Sequence, residues 1–242
     1  MATQTKTRSK KAEAKPDLLN VAFVWDMSGS MSSVEGSTRE ATAAYLLDLQ
    51  KEERKLVRKH GAGVYTRLSL TIFDTVFEEW AVNEPIVDLD VVELLKGYRP
   101  RGGTALYDAI ANTISKMDSG SSKNEKNLVI VMTDGQENAS QEYALRTDGR
   151  KRLFNLIKRM EKRGNFTFVY LGANVDAYAE AGAIGIHAGN TVFYSATADS
   201  VAASNSSLAP MTSTLRSGAG GQSMSAFADA GLKTDYREED EK

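Results

Sequence analysis

The chain has 242 residues, 41% of them apolar and 26% charged, which suits one large soluble domain with a sizeable core. Its 30 basic and 32 acidic residues nearly cancel to a formal net charge of -2, so no global field favours nucleic acid or a membrane surface. Cysteine is absent, which excludes disulfides, thiolate nucleophiles and zinc-thiolate sites and favours a cytosolic protein.

The N-terminal segment, residues 1–16, is polar and basic, and it predicts a disordered arm. No aromatic residue is interleaved with its basic residues, so a solvated arm is favoured over a nucleic-acid-binding one. No apolar stretch follows that resembles the core of a signal peptide, and no window of the sequence approaches a membrane span. We therefore expect a soluble, cytoplasmic chain with no cleaved export signal and no membrane partner.

The first predicted strand runs from about Leu18 to Trp25 and ends abruptly in Asp26-Met27-Ser28-Gly29-Ser30. A long amphipathic helix is predicted from about Ser37 to His60, because apolar residues recur there near a helical period and Gly61 stops the pattern. The strand end delivers one carboxylate and two hydroxyls at alternate positions, which are the hard oxygen ligands that Mg²⁺ and Mn²⁺ prefer.

The next segments alternate polar and apolar residues and predict a β-hairpin. Residues 66–73 form its first strand, Asp74-Thr75 its turn and Val76 to Val82 its second strand. A short helix from Asp90 to Lys96, the glycine-punctuated loop 97–104 and a helix from about Ala105 to Met117 follow.

The second half begins with Leu128 to Met132, a continuous apolar run that predicts a central strand ending in Thr133-Asp134-Gly135. The remaining pattern predicts a basic amphipathic helix at Ala144 to Arg163, a strand at Phe166 to Leu171, a short helix at Ala177 to Ala181 and a strand at Thr191 to Tyr194. Alternating strands and helices indicate a three-layer α/β fold of the Rossmann-like, doubly wound type. Its sheet is mostly parallel with one antiparallel edge strand, and helices cover both faces.

The C-terminal region is rich in Ser, Ala and Gly, but spaced apolar residues predict one more helix at 197–216, interrupted near Pro210. Residues 217–242 predict a flexible tail that is first glycine-rich and then acidic. The predicted organisation is therefore a basic arm at 1–16, one domain at 17–216 and a tail at 217–242.

Three loops are expected to meet at one edge of this sheet. In an open parallel α/β sheet, ligands collect outside the carboxyl ends of the strands, and both Asp26-x-Ser28-x-Ser30 and Asp134 leave such ends. Thr104 precedes a helix, and its hydroxyl could cap that helix or turn into the same crevice. The sequence thus predicts a metal site of five oxygen ligands: Asp26, Ser28, Ser30, Thr104 and Asp134.

The ordered set Asp26-Met27-Ser28-Gly29-Ser30, Gly102-Gly103-Thr104-Ala105-Leu106 and Thr133-Asp134-Gly135 resembles the von Willebrand factor type A domain with its metal-ion-dependent adhesion site. The resemblance covers about residues 18–216. It implies that Ser28 and Ser30 ligate Mg²⁺ or Mn²⁺ directly, that Asp26 and Asp134 hold it through waters, and that Thr104 is an exchangeable ligand. It further implies a protein partner whose Asp or Glu carboxylate completes the metal shell.

Without cysteine, a signal or a second domain, the chain looks like the compact prokaryotic or phage members of that family, and a phage-encoded form could be associated with a virion. Arg99 and Arg101 flank the Thr104 loop and are candidates for attracting an acidic partner, although a solvated loop charge is the plain alternative. His60 and His187 lie at a helix end and in a loop, and we assign neither a catalytic role.

The same residues bear on four candidate functions. We expect a metal-dependent protein-binding domain and not an enzyme. The alternative is a structural or assembly protein in which the metal merely stabilises the fold. A metal-dependent phosphatase is the best enzymatic alternative, but the second acid it needs two residues after Asp26 is Ser28 here. A nucleotide-binding enzyme is disfavoured because no Gly-x-x-x-x-Gly-Lys-Ser/Thr loop is present.

Overall fold

The computed structural model describes residues 17–122, 124–173, 176–194 and 197–217. Its strands are β1 (Leu19–Asp26), β2 (Thr66–Phe73), β3 (Phe77–Pro85), β4 (Lys126–Thr133), β5 (Phe166–Gly172) and β6 (Thr191–Phe193). Its α-helices are α1 (Glu35–His60), α2 (Val91–Leu95), α3 (Leu106–Gly120), α4 (Gly149–Lys162), α5 (Ala177–Ala183), α6 (Ala198–Ser206) and α7 (Leu208–Ser217). The predicted arm 1–16 and the predicted tail beyond Ser217 lie outside the described residues.

The described strands form one sheet in the order β3-β2-β1-β4-β5-β6. β1 pairs in parallel with both β2 and β4, while β3 lies antiparallel to β2 at the edge. This topology confirms the predicted fold class. The chain moves outward in one direction from β1 and in the other from β4, so the carboxyl ends of these two strands flank the switch point where such sheets bind ligands.

Two hydrophobic clusters cover the two faces of the sheet. Along β1, Leu19, Val21, Phe23 and Trp25 point into a cluster with α1, α2, α6 and α7, and Ala22 and Val24 point into the other, with α3, α4 and α5. Every residue of β1 is buried, which is the burial pattern of a central strand covered on both sides. The ends of β1 are therefore fixed rigidly by the core.

The predicted helix at 144–163 begins later than expected. Residues Leu145–Thr147 form a 3₁₀ helix, Asp148 has a left-handed φ of 55°, and only then does α4 begin at Gly149. A Cβ on Gly149 would lie 1.8 Å from the Tyr143 carbonyl oxygen, so glycine is required for this close backbone approach. Helical periodicity alone could not reveal a contact of that kind.

The predicted C-terminal helix is also divided, but at Ser207 and not at Pro210. Pro210 lies in the first turn of α7, where an amide would have no partner within the helix, so it is tolerated there. The apolar side chains of α7, among them Leu208, Met211 and Leu215, are buried in the same cluster as β1.

The edge strand β3 is irregular. Its register against β2 shifts between Leu68 and Leu70 and again between Leu70 and Thr71, and Asn83 has a left-handed φ of 55°. At the opposite edge, β6 has only three residues. No helix among the described residues is long and apolar enough to cross a membrane.

Candidate metal site

The candidate site lies at the carboxyl ends of the two central strands. Asp26 is the last residue of β1, Thr133 is the last residue of β4, and Asp134 follows directly. The parallel register places Trp25 beside Met132, so the loops that leave these strands start side by side. The geometry of the sheet thus brings two sequence-distant acidic residues to one place.

Asp26 is fully buried and receives two short hydrogen bonds. The Ser28 amide donates to Asp26 Oδ1 at 2.6 Å, and the Thr133 hydroxyl donates to Asp26 Oδ2 at 2.5 Å. Burial raises the pKa of Asp26 from 3.8 to about 6, against the opposing effect of these hydrogen bonds, and the charge of Asp134 adds to the rise. When Asp26 is ionised, the surrounding protein therefore does not fully compensate its negative charge.

The two serines join Asp26 to Asp134. Ser28 Oγ and Ser30 Oγ lie 3.1 Å apart, and Ser30 Oγ donates to Asp134 Oδ1 at 2.6 Å. Because the Ser30 proton is directed at a carboxylate, the lone pairs of its oxygen remain available to a cation. Burial raises the pKa of Asp134 as well. Ser28 is buried and Ser30 is exposed, so the site opens to solvent on the Ser30 side.

The Thr104 hydroxyl faces the same space. A Cβ on Gly135 would lie 3.1 Å from Thr104 Oγ1 and 3.5 Å from Ser30 Oγ, which places both hydroxyls around one small volume. The Thr104 side chain does not cap α3: the N-cap residue of that helix is Ala105, which makes no side-chain cap. The Thr104 hydroxyl is therefore directed at the crevice and does not cap the helix.

The amides of the first turn of α3 are satisfied from another loop. Tyr107 N donates to Glu137 Oε2 at 2.8 Å, and Asp108 N donates to Ser140 Oγ at 3.0 Å. Thr104 itself is held by its backbone, since its amide donates to Asn138 Oδ1 at 2.9 Å and its carbonyl accepts from the Asn138 amide at 3.0 Å. The backbone bonds thus fix the position of Thr104, and its hydroxyl remains available to bind a ligand.

The loop before Thr104 is fastened to the Asp26 segment. Tyr98 Oη donates to the Asp26 carbonyl at 2.6 Å, and the Tyr98 ring stacks on Trp25 with centroids 3.8 Å apart. Arg101 N donates to the Met27 carbonyl at 2.7 Å, and Gly29 N donates to the Gly102 carbonyl at 3.2 Å. These contacts set the distance between the serine loop and the threonine loop.

The two arginines predicted to attract a partner both form ion pairs. Arg99 Nη1 lies 3.1 Å from Glu35 Oε1. Arg101 Nε lies 2.7 Å from Asp74 Oδ2, and its Nη2 lies 2.9 Å from Glu78 Oε1. Both side chains remain largely exposed, and their role in partner binding stays a prediction.

The donor set fits a divalent cation. All five predicted ligands offer oxygen atoms, and neither Asp26 nor Asp134 forms an ion pair with any described Lys, Arg or His. No group of three or more His, Cys, Asp or Glu side chains in the described part of the chain could hold a metal. The arrangement is therefore a hydroxyl-rich site with two carboxylates, and a cation would supply the positive charge that the protein does not.

The sequence reasoning missed several residues that build this site. Thr133 binds Asp26, Tyr98 binds the Asp26 backbone and Asn138 binds Thr104. Thr133 lies beside Asp134 in the sequence and could have been suspected as a strand-end hydroxyl. Tyr98 and Asn138 reach their partners across loops, and nothing in the local sequence indicates those contacts.

Comparison with known proteins identifies relatives at the level of the fold. The family model for the von Willebrand factor type A domain matches residues 20–206. No protein of curated function matches this sequence.

Several solved structures share the fold at low sequence identity. The PilB minor pilin from Streptococcus sanguinis superposes with a TM-score of 0.62 at 12% identity, covering 86% of this chain and 64% of that one. The vWF domain of the type V pili tip protein Mfa5 from Porphyromonas gingivalis gives 0.59 at 11% identity, with 84% and 97% covered. Manganese-loaded Plasmodium vivax TRAP protein gives 0.52 at 17% identity, with 77% and 71% covered. The chain thus spans less than two thirds of the length of the PilB pilin.

Proposed function

Because this chain belongs to the von Willebrand factor type A family, we propose that it is a divalent-metal-dependent protein-binding domain whose partner supplies an Asp or Glu carboxylate. The observation that carries the proposal is the convergence of three hydroxyls and two carboxylates without a paired protein cation at the switch point of the sheet. This arrangement supports the metal-ion-dependent adhesion site that the sequence resembles.

The residues have distinct proposed roles. Ser28, Ser30 and Thr104 hold Mg²⁺ or Mn²⁺ through their hydroxyl oxygens, while Asp26 and Asp134 orient the serines and balance charge from farther away. The hydrogen bond from Ser30 to Asp134 supports this division, since it directs the Ser30 proton at the carboxylate. When bound, a cation held by few carboxylates stays electrophilic enough to accept a carboxylate from another protein. The exposed Ser30 side is where that carboxylate would arrive.

Two of the related structures are consistent with this proposal. The TRAP protein that shares the fold is described as manganese-loaded, and the Mfa5 domain belongs to a pilus tip protein. Low identity limits that likeness to the fold, and the proposed metal and partner rest on the residues of this chain. Within the family, we propose that it belongs with the compact prokaryotic or phage members.

Binding is proposed in preference to catalysis. The chain has two histidines, and one of them, His187, accepts a hydrogen bond from the Gly189 amide at its Nδ1, at 3.0 Å. His187 therefore stabilises a turn. Asp26 would be placed for nucleophilic attack in a phosphatase, but Ser28 stands where a general acid is needed. The site offers ligands for a cation and no acid-base pair.

Calorimetric titration of Mg²⁺ and Mn²⁺ tests the metal assignment. The intact protein is expected to bind one ion, and Ser30→Ala and Asp134→Ala are expected to abolish the heat of binding. Ser33→Ala is the matched control, because Ser33 is an exposed serine of the same 3₁₀ helix, Gly29–Val34, and is not a predicted ligand. Equal binding by Ser30→Ala and the intact protein would refute the site.

Capture of a partner on the immobilised chain tests the second half of the proposal. Retention is expected in Mg²⁺, release in chelator, and loss with Ser30→Ala but not with Ser33→Ala. Replacing acidic residues of the captured protein by their amides then locates the carboxylate. A partner that stays bound in chelator, while the melting temperature alone falls, would support the alternative of an assembly protein with a stabilising metal.

A further inference from the structure

The outer face of α4 carries a concentration of positive charge that the proposed function does not use. Residues 145–163 contain eight Lys and Arg but only two acidic residues, in a chain whose formal net charge is -2. We define the basic face by four of these residues, which are exposed and form no ion pair with any described residue: Lys151, Arg159 and Lys162 of α4 and Arg146 of the 3₁₀ helix before it.

This charge is not required to complete the helix. The inward side of α4 is apolar, and Leu153, Ile157 and Met160 are buried in the core. Other cations of the region do have partners, since Arg152 pairs with Glu142 and lies over the Tyr143 ring, and Lys158 pairs with Glu161. Lys151 and Lys162 are separated by roughly 17 Å along the helix axis at 1.5 Å per residue. The basic face is therefore a stripe suited to an extended anionic segment.

The chain itself contains such a segment. Residues 235–241 include five acidic residues and one arginine, and they lie outside the described part of the structure. We call them the acidic segment. Fully extended, seven residues reach roughly 23 Å, which is enough to span the roughly 17 Å between Lys151 and Lys162.

The last helix and α4 end at the same edge of the sheet. Lys126, the first residue of β4, donates through Nζ to the carbonyls of Leu215 and Arg216 at 2.9 and 3.1 Å. The next residue, Asn127, donates its amide to the Asn165 carbonyl at 2.8 Å, and Asn165 follows α4 by only a short turn. The chain thus leaves α7 at the same edge of the sheet at which α4 ends.

The connecting residues 218–234 are long enough to bridge that gap. For a chain of that length, the random-coil relation gives a root-mean-square end-to-end distance of roughly 23 Å, and the path through adjacent strands from Arg216 to Lys162 is roughly 20 to 25 Å. A tether whose natural span matches the distance gives an effective concentration on the order of millimolar. A weak charge contact within the chain is thereby favoured over a free anionic partner.

We propose that the acidic segment 235–241 docks on the basic face of α4 within the same molecule. The contact is electrostatic and independent of the metal site, which lies at the carboxyl ends of β1 and β4. It also occupies the acidic segment, so its carboxylates are kept from competing with a partner for the metal.

Paramagnetic broadening in the full-length chain provides the test. The protein has no cysteine, so Thr234→Cys gives a unique position for a nitroxide label. In about 0.05 M salt, the amide signals of residues 151–163 are expected to lose intensity, and the loss should disappear in about 0.5 M salt because the screening length becomes shorter. Mg²⁺ and chelator should give the same result.

Charge variants make the test specific. Lys151→Glu, Arg159→Glu and Lys162→Glu together should abolish the broadening, as should Glu238→Gln, Glu239→Gln, Asp240→Asn and Glu241→Gln together. Restoring attraction with Glu238→Lys, Glu239→Lys and Glu241→Lys in the α4 variant should recover it. The matched control reverses Lys51, Lys55 and Arg58 of α1, which should leave the broadening of α4 unchanged.

Several results would overturn the proposal. The first is the absence of broadening in α4 while the remaining amide signals show an intact fold. The second is broadening centred on the metal-site loops or on α1. The third is broadening of an isotope-labelled chain by a separate nitroxide-labelled chain, which would assign the contact to a second copy.

Discussion

The hydroxyl of Thr133, at the end of β4, donates a 2.5 Å hydrogen bond to the buried carboxylate of Asp26, at the end of β1. It ties the two central strands together at the proposed metal site and holds the carboxylate in one orientation. Hydrogen-bond partners of this kind commonly change metal affinity by about 10- to 100-fold when they are removed.

Replacing Thr133 by valine should therefore weaken Mg²⁺ binding by roughly tenfold or more. The substitution keeps the shape of the side chain but removes the donor, so Asp26 loses a hydrogen bond that favours its charged form. Calorimetric titration at neutral pH measures the change. Thr71→Val, which deletes a buried hydroxyl of β2 and breaks its contact with Thr113 of α3, is the control and should leave metal affinity unaltered. An unchanged affinity in Thr133→Val would show that the bond does not serve the metal.

Gly135→Ala should block the site while preserving the fold. The added methyl group would lie 3.1 Å from Thr104 Oγ1 and 3.5 Å from Ser30 Oγ, in the space between two proposed ligands. The expected loss of Mg²⁺ affinity is more than about tenfold, or 1.4 kcal/mol. Gly36→Ala is the matched control, since a Cβ there has nothing within 4 Å and alanine favours the α1 helix. Full affinity in Gly135→Ala would mean that the ion binds elsewhere.

The raised pKa of Asp26 predicts a specific pH dependence of stability without metal. The folded protein holds the Asp26 proton up to about pH 6, whereas the unfolded chain releases it near 3.8, so stability from this group falls as pH rises through that window. The side chain in Asp26→Asn cannot ionise, so the free energy of unfolding of this variant does not fall for this reason. It should match the intact protein near pH 4 and exceed its free energy of unfolding by up to about 3 kcal/mol above pH 6.

Urea denaturation in chelator across this range measures the difference between the two proteins. Taking the difference cancels the titration of the carboxylates that do not interact with Asp26, which both proteins share. Curves that stay parallel from pH 4 to 7 would contradict the assignment of the shift to Asp26.

Features that depend on neighbouring residues could be predicted from the sequence, whereas contacts between residues far apart in the chain could not. The apolar run before Asp26 and the spacing of Ser28 and Ser30 predict both a central strand and a cluster of oxygen atoms, because alternation and strand ends are local properties. The tie between Tyr98 and the Asp26 carbonyl spans 72 residues, and no local pattern encodes it. The delayed start of α4 likewise depends on the backbone of Tyr143 lying against Gly149.

The last helix should depend on a single buried arginine. Arg216 is only 8% exposed, and its Nη1 and Nη2 donate to the Tyr65 carbonyl and to Thr66 Oγ1, both at 2.7 Å. Arg216→Ala removes both charge-assisted bonds and should lower the free energy of unfolding by about 2 to 4 kcal/mol. Hydrogen exchange of α7 should accelerate more than that of β4, whereas Arg58→Ala on the exposed side of α1 should change neither. Undiminished protection of α7 would show that its buried apolar residues and the Lys126 hydrogen bonds hold it without Arg216.

The two edges of the sheet affect how the protein behaves at high concentration. An unpaired strand edge can recruit a strand from another molecule and begin aggregation. Here β3 is bent by register shifts near Leu70 and carries the exposed acidic residues Glu78 and Glu84, while β6 offers only three residues. Neither edge presents a long, flat and uncharged ladder of amides. Among the described strands, edge-to-edge polymerisation is therefore disfavoured, and crowding should not by itself drive this domain into fibres.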